Sequence, residues 1–338
     1  HDARNGPPNF LFRNRLADGG FFEDVTAKVG LDENNDRYSF APAWCDYDFD
    51  GRPELYVAND FGRNNLYKFD GERFRDIAAQ AGVEDMGPGM SAAWFDAHGE
   101  GRPDLYVTNM WTASGRRVTH DPAFDLVAEE GLREEYRRHT KGNSLYRNRG
   151  DGTFEETGEA EMGRWSWTGD ARDFDCDGTP EIVVAAGMIS EPDRGTSDLM
   201  SFFWRQVVAH SGPDATPSPK YEEGWNAINQ FIREGHSWNG WEPNVFYKRR
   251  GDGWVDFSPE IGDVPRDTRA FAAVDLTGDG RLDLVLKNRL GPQIQAVFNR
   301  TEGANVVVLE LQGVESNRDA VGAWVTARTE HGVTSQLL

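Results

Sequence analysis

The sequence predicts an all-β protein whose sheets repeat along the chain as the blades of a β-propeller. Three observations predict this fold class. An acidic stretch followed by an apolar strand recurs four times, a second hairpin pattern alternates with it, and the first interval of the repeat is 50 residues, from Asp46 to Asp96. Repeated four-stranded units with a period of this order are typical of propeller blades.

The first element of each repeat is an acidic loop between two predicted strands. We number these segments loop 1 (46–54), loop 2 (96–104), loop 3 (173–181) and loop 4 (275–283). Loops 1 and 3 read DYDFDGRPE and DFDCDGTPE, which gives the pattern D-x-D-x-D-G-x-x-[DE]. The glycine at the sixth position permits the positive φ that a tight loop requires. Each loop is therefore expected to be the tip of a β-hairpin.

The second element of each repeat is a hairpin with a Gly/Asp turn. It occupies residues 9–31, 64–83, 143–163 and 244–262, and its third copy reads NSLYRNRGDGTF. Two short alternating strands around such a turn indicate a hairpin. Two hairpins per repeat give a four-stranded blade. An elongated β-solenoid is the alternative, but its repeats would be shorter and would lack paired hairpins.

Two insertions lengthen the later intervals between loops to 77 and 102 residues, from Asp96 to Asp173 and from there to Asp275. They span 110–142 and 188–243, and apolar spacing predicts helices in both. One helix is expected after Pro122, through positions such as Phe124, Leu126, Val127, Leu132 and Tyr136. Another follows Ser197 or Thr196 as N-cap, and a third runs from Tyr221 to Arg233 and ends at Gly235. Their many tryptophans either attach the helices to the blades, which we favour, or stack on a carbohydrate or peptide ligand.

The spacing of acids in the loops indicates cation sites. Close carboxylates repel one another unless a positive charge lies among them, and hard cations such as Ca²⁺ prefer oxygen ligands. We expect side-chain oxygens from positions 1, 3, 5 and 9 and a backbone carbonyl from position 7. The predicted ligands are Asp46, Asp48, Asp50, Arg52 (carbonyl) and Glu54; Asp173, Asp175, Asp177, Thr179 (carbonyl) and Glu181; and Asp275, Thr277, Asp279, Arg281 (carbonyl) and Asp283.

Loop 2 departs from this pattern. His98 replaces the middle aspartate, and Asp96, Glu100 and Asp104 remain as candidate ligands. Imidazole suits transition metals better than calcium, so this loop is weak, empty or selective for another metal. A metal-free Asx-type turn is the alternative for every loop, and most seriously for this one. The four loops together predict about three to four calcium ions.

Composition excludes several functions. The net charge is −21, which argues against binding nucleic acid or an anionic lipid surface. The sequence contains no apolar run long enough to span a bilayer. It also lacks the G-x-S-x-G and G-x-x-x-x-G-K-[ST] motifs of common catalytic and phosphate-binding sites. Cys45 and Cys176 could form a disulfide in a secreted protein, but two free thiols are the favoured interpretation.

These motifs resemble those of a known family. The acidic loops followed by L-Y-V strands, together with the N-x-L-Y-R-N-x-G-D-G-x-F hairpins, resemble FG-GAP/VCBS repeats, the calcium-loop blades of integrin-α-like propellers. Residues 306–327, with the marker SNRDAVGA at 316–323, resemble the start of an ASPIC/UnbV domain. The pair is similar to the cartilage-acidic-protein-like family. The resemblance implies a seven-bladed propeller in the complete protein, whereas four acidic loops occur here.

The resulting expectation is a propeller over 1–300, with insertions at 110–142 and 188–243, followed by the N-terminal part of an ASPIC/UnbV β-domain over 301–338. A protein partner or a further segment of the same protein is expected to complete the propeller. The expected function is that of a secreted, periplasmic or cell-surface calcium-binding module for adhesion or assembly. The alternatives are an enzyme acting on polysaccharide or another extracellular substrate, with its site in the helical insertions, and a purely structural spacer.

Overall fold

The fold is dominated by antiparallel sheets, as the sequence predicts. The computed structural model describes residues 2–122, 124, 130–193, 198–211, 217–302, 306–315, 317–329 and 332–338. Within these residues, three sheets have four strands each and one has three strands, and two further sheets are isolated hairpins. This architecture confirms the all-β fold class with propeller-like blades.

Nineteen strands make up the sheets of the described residues. The first hairpin pairs β1 (Phe12–Asn14) with β2 (Phe22–Asp24). The first blade contains β3 (Tyr38–Cys45), β4 (Glu54–Phe61), β5 (Asn65–Phe69) and β6 (Phe74–Asp76). The second blade contains β7 (Gly89–Phe95), β8 (Asp104–Asn109), β9 (Ser144–Asn148) and β10 (Phe154–Glu156).

The third blade contains β11 (Ser166–Arg172), β12 (Glu181–Ala186), β13 (Val245–Arg250) and β14 (Gly253–Asp256). The fourth has three strands, β15 (Thr268–Val274), β16 (Asp283–Asn288) and β17 (Ile294–Val297). The last hairpin pairs β18 (Trp324–Thr329) with β19 (Gly332–Leu337).

Successive blades pack face to face in chain order. Their first strands, β3, β7, β11 and β15, are neighbours of one another in that order. The second strands of the first three blades are the most buried, because each of them contributes residues to two hydrophobic clusters. In the cluster between the first and second blades, Tyr56 and Leu105 are almost fully buried. The seven-bladed ring remains a prediction.

The insertions contain helices, three of them near the predicted positions. One helix spans Glu130–His139 and another spans Pro219–Arg233 with Ser218 as N-cap. In the second insertion, a short helix Met200–Phe202 continues as a π-helical turn, Phe203–Val207, and a 3₁₀ turn. A helix at Ala113–Thr119 was not predicted. The proposed N-caps Ser197 and Thr196, and the positions Leu126 and Val127, lie outside the described residues.

The aromatic side chains of the insertions pack mainly against each other. Trp204 and Trp238 are buried in one apolar cluster with Ile228. The rings of Trp165 and Trp238 meet edge to face with centroids 6.2 Å apart, which is a favourable arrangement of aromatic rings. This packing supports the interpretation that the tryptophans attach the helices to the blades.

The last hairpin lies against the second blade. The indole Nε1 of Trp324 donates to the carbonyl of Gly101 in loop 2 at 3.2 Å, and Leu337 packs on the core between the first two blades. Leu337 and Leu338 also line a cavity of about 790 Å³ beside the first strands of the blades. The assignment of 301–338 to a separate domain remains a prediction.

Candidate metal sites in the acidic loops

All four acidic loops have the same frame. In each, the residue before the first aspartate pairs with the ninth residue of the loop across a hairpin. The pairs are Cys45–Glu54, Phe95–Asp104, Arg172–Glu181 and Val274–Asp283. Each acidic loop is therefore the tip of a β-hairpin, as expected, and the ninth residue begins the second strand of its blade.

The first aspartate organises each loop by accepting backbone hydrogen bonds. Asp46 accepts from the amides of Asp50 and Gly51 at 3.0 and 2.9 Å, and Asp173 accepts from the corresponding amides in loop 3 at 3.0 and 2.9 Å. Asp96 and Asp275 make the same contacts in loops 2 and 4. This wrapping turns the loop around its own first carboxylate, as an Asx turn does.

Two positions of each loop have left-handed backbone conformations. The expected one is the sixth, where the glycine φ is between 76° and 89°. The fourth position is also left-handed, and the sequence analysis missed it. Phe49 and Cys176 occupy it with φ of 60° and 57°, whereas loops 2 and 4 have Gly99 and Gly278 there. Those two glycines were the signal that could have predicted this conformation.

The ninth carboxylate of each loop is buried. It accepts a hydrogen bond from the amide of the second loop residue, as Glu181 Oε2 does from Phe174 at 2.9 Å and Glu54 Oε2 does from Tyr47 at 3.3 Å. Burial raises the pKa of Glu54 to about 7 and that of Glu181 to about 7, because a charged carboxylate loses hydration there. A nearby cation would favour the charged form.

Among the described residues, two groups of carboxylates come close enough to hold a metal ion. They are Asp46, Asp48 and Asp50 in loop 1, and Asp173, Asp175 and Glu181 in loop 3, with oxygens within 4.8 Å of one another. In loop 3, the buried oxygens Asp175 Oδ1 and Glu181 Oε1 make no hydrogen bond, and Glu181 Oε1 has an ion pair with Lys248 at 3.4 Å. Buried carboxylate oxygens without hydrogen bonds are suited to coordinate a hard cation. The residues of loop 3 therefore fit such an ion.

A lysine from the third strand reaches each of these two groups. Lys68 Nζ lies 2.7 Å from Asp48 Oδ2, 2.9 Å from Asp50 Oδ2 and 2.8 Å from Glu54 Oε1. Lys248 forms ion pairs with Asp175, Asp177 and Glu181 in the same way. Neither lysine was predicted from the sequence, because each lies far along the chain from the loop that it contacts.

The acidic side chains of loop 2 pair with residues of the loop itself and with an arginine of β9. His98 Nδ1 lies 2.7 Å from Asp104 Oδ2, and Glu100 forms ion pairs with Arg102 and Arg147. Asp104 Oδ1 also accepts from a backbone amide at 2.7 Å. The predicted ligands of loop 2 thus have other partners, and the expectation that this loop is the weakest calcium site remains a prediction.

Loop 4 is more exposed than loop 3, and its acids are not among the close carboxylate groups of the described residues. Asp275 accepts backbone hydrogen bonds, Asp279 pairs with Arg281, and Thr277 donates its amide to Asp275. Asp283 is buried.

The seventh residues of loops 1, 3 and 4 contact the fifth residues through their backbone. The amides of Arg52, Thr179 and Arg281 donate to the carboxylate of the fifth residue of their loops, at 2.9 to 3.0 Å. The role of their carbonyls as ligands remains a prediction.

The acidic loops also connect neighbouring blades. In the second, third and fourth blades, a side chain in or just after the third strand donates to the carbonyl of the second residue of the preceding loop. Asn148 donates to Tyr47 at 2.9 Å, Arg249 to Ala97 at 2.8 Å, and Asn299 to Phe174 at 2.6 Å. Because these contacts recur in three consecutive blades, the geometry of one loop fixes the position of the next blade.

The two cysteines are free thiols. Cys45 is buried at the end of β3, where loss of hydration raises the pKa of its thiol well above the usual range. Cys176 lies in loop 3 and is partly exposed. The favoured interpretation of two free thiols is therefore confirmed.

Comparison with known proteins agrees with this repeat. Residues 46–107 and 126–184 match the family model of the FG-GAP-like repeat. The first segment contains loops 1 and 2, and the second contains loop 3. No curated protein matches the chain. The matched segments end before residue 301, so the resemblance to ASPIC/UnbV remains a prediction. The chain thus carries FG-GAP-like repeats at two positions.

Proposed function

We propose that the protein is an extracellular calcium-binding module of propeller blades that acts in adhesion or assembly. The observation that supports calcium most strongly is the carboxylate group of loop 3, in which Asp175 Oδ1 is buried without a hydrogen bond and Glu181 Oε1 has only an ion pair with Lys248. Loop 1 offers a similar group, loop 4 offers oxygens that do not form a close group, and loop 2 is the poorest candidate. All of their ligands are hard oxygens, which suit Ca²⁺.

Calcium would act on the structure rather than in chemistry. The second residue of each of loops 1 and 3 accepts a hydrogen bond from the next blade. An ion that stabilises the loop therefore also stabilises the contact between blades. Binding to the folded state alone stabilises a protein by mass action, so the blades would be more stable in calcium.

Exposed apolar residues support a role in assembly. In the first hairpin, Phe12 is 55%, Phe21 is 81% and Phe22 is 64% exposed. In the fourth blade, Ile294 is 63% and Phe298 is 49% exposed. Exposed apolar patches of this kind mark surfaces that other protein covers. We propose that a protein partner or a further segment of the same protein packs on these two faces.

An extracellular location follows from the proposed calcium binding, because weak loop sites are filled at the millimolar calcium concentrations outside cells. We therefore propose secretion to the cell surface, the surroundings or a periplasm. Among the described residues, no helix has the length and apolar character required to span a membrane.

The enzyme alternative gains no support from the tryptophans of the insertions, because Trp204 and Trp238 are buried.

Isothermal titration of the metal-stripped protein with calcium tests the proposal. We expect at least two binding events, and Glu181→Gln should abolish the one at loop 3 because it removes a charged ligand. Glu223→Gln, in the helix Pro219–Arg233 and outside the loops, is the matched control and should leave binding unchanged. Absence of calcium binding at millimolar concentration would contradict the proposed function.

A test of assembly uses sedimentation of the same protein. In the absence of that partner or segment, the exposed apolar faces should pair between copies of the chain, and Phe21→Ser with Phe22→Ser should reduce that association. A protein that stays monomeric at high concentration would contradict the role of these faces in self-association.

A further inference from the structure

The third strands of the blades carry a recurring residue beside the acidic loops. Tyr67 pairs with Leu55 in the first blade, and Tyr247 pairs with Ile182 in the third. In every blade, the residue after this tyrosine, or after the residue that replaces it, lies at the same position in the strand register. In chain order these residues are Lys68, Arg147, Lys248 and Phe298.

Lys68 places its ammonium group among the carboxylates of loop 1. Its three partners, Asp48, Asp50 and Glu54, are the third, fifth and ninth residues of the loop, and all three oxygens lie within 2.9 Å of Nζ. These are the side chains that a calcium ion in this loop would need. A metal coordinates such oxygens at about 2.3–2.6 Å, so it would lie close to the same point.

The third blade repeats the arrangement. Lys248 contacts the third, fifth and ninth residues of loop 3, with Nζ 2.9 Å from Asp177 Oδ2 and 3.4 Å from Glu181 Oε1. Lys248 and Asp177 are 71 residues apart in the chain, across the second insertion. The same lysine–carboxylate contact thus occurs at the same register position in two blades, although the connections before the third strand differ greatly in length. The contact is therefore a property of the repeated blade and not of one connection.

We infer that Lys68 and Lys248 compete with the divalent ion for the carboxylates of loops 1 and 3. This inference rests on the proposed calcium binding. A lysine ammonium and a metal ion on the same three oxygens repel each other, so binding of the ion must displace the lysine. Each loop then has two states, one closed by lysine and one that binds metal, and the lysine lowers the calcium affinity.

The other two blades give an internal comparison. Loop 4 has Phe298 at the register position of the lysines, so no third-strand cation competes there. In loop 2, Arg147 pairs with Glu100 while His98 pairs with Asp104. The repeat therefore contains two loops with a lysine competitor, one without it, and one closed by both an arginine and a histidine.

Calcium titration of lysine variants tests the inference. Lys68→Met and Lys248→Met keep the aliphatic stem and remove the charge, and each should tighten calcium binding by about tenfold or more at its own loop. Adding Glu54→Gln or Glu181→Gln to the same variant assigns the gain to one loop. Lys28→Met is the control, because Lys28 is exposed and its carboxylate contact, with Glu23, is 3.8 Å long.

Amine acetylation with mass spectrometry gives a second readout on the unmodified sequence. Saturating calcium should increase the acetylation rates of Lys68 and Lys248 several-fold, because displaced ammonium groups reach solvent, while the rate at Lys28 stays constant. Unchanged or weaker calcium binding in both lysine variants would overturn this inference but not the proposed function. Unchanged acetylation of both lysines in saturating calcium would do the same. Absence of calcium binding by every protein would overturn the proposed function and this inference with it.

Discussion

Asn148 is predicted to hold the first two blades together. Its side chain is almost fully buried at the end of β9. The Nδ2 group donates to the carbonyl of Tyr47 in the first blade at 2.9 Å and to that of Pro103 in its own blade at 3.0 Å. The Oδ1 atom accepts from the amide of Gly150 at 2.9 Å.

Asn148→Ala removes all three hydrogen bonds and should be strongly destabilising. A buried polar group left without a partner costs about 1–3 kcal/mol, and entry of water recovers part of that cost. With three groups affected, we expect a loss of about 3 kcal/mol in the free energy of unfolding. The loss should appear as a lower midpoint in urea denaturation followed by circular dichroism.

Asn229→Ala is the matched control for this variant. Asn229 donates to the carbonyl of Trp225 at 3.0 Å within one exposed helix, so its removal should change stability by less than about 0.5 kcal/mol. A loss below about 1 kcal/mol for Asn148→Ala, or a loss equal to that of the control, would show that this asparagine does not hold the blades together.

Two further predictions concern backbone and charge. Gly178→Ala should destabilise the protein by about 1 kcal/mol or more, because alanine is strained at the φ of 89° found there. The added Cβ would meet no neighbouring atom, so a steric clash would not contribute to the loss. The control is Gly131→Ala on a helix, which should be neutral or stabilising. Burial raises the pKa of Glu242 to about 8, above its value in the unfolded chain, so the folded state binds the proton more tightly and stability should fall as pH rises from about 4.5 to 8. Glu242→Gln should flatten this dependence in urea denaturation at several pH values, and an unchanged slope would contradict the burial of a neutral carboxyl group.

Local patterns in the sequence predict the loops and their hairpins well. Asp46, Gly51 and Glu54, at the first, sixth and ninth positions of loop 1, make their hydrogen bonds within the nine residues of the loop. The conformation of the loop is therefore almost independent of the rest of the chain. The same holds for the turn hairpins, whose glycines and aspartates act on their own turns. The helix Pro219–Arg233 also follows from a local apolar pattern.

Long-range partners could not be predicted from spacing. Lys248 is 73 residues from Asp175, and the pairing depends on the register of β12 with β13 across an insertion. Asn148 is 101 residues from Tyr47, so its role depends on how whole blades pack. The apolar pattern of 198–210 indicated a helix, but the observed turns are partly π-helical, because tertiary packing of Trp204 and Val207 outweighs local propensity.

Thermal unfolding of the protein in calcium and in excess chelator tests the central claim, that divalent ions in the acidic loops stabilise the blades, most directly. Ions at several loops that bind only the folded chain should raise the melting temperature by many degrees in millimolar calcium, because their contributions add. The increase should be smaller in Asp46→Asn and Asp173→Asn, each of which removes a loop carboxylate. Identical melting curves in calcium and in chelator would contradict the account.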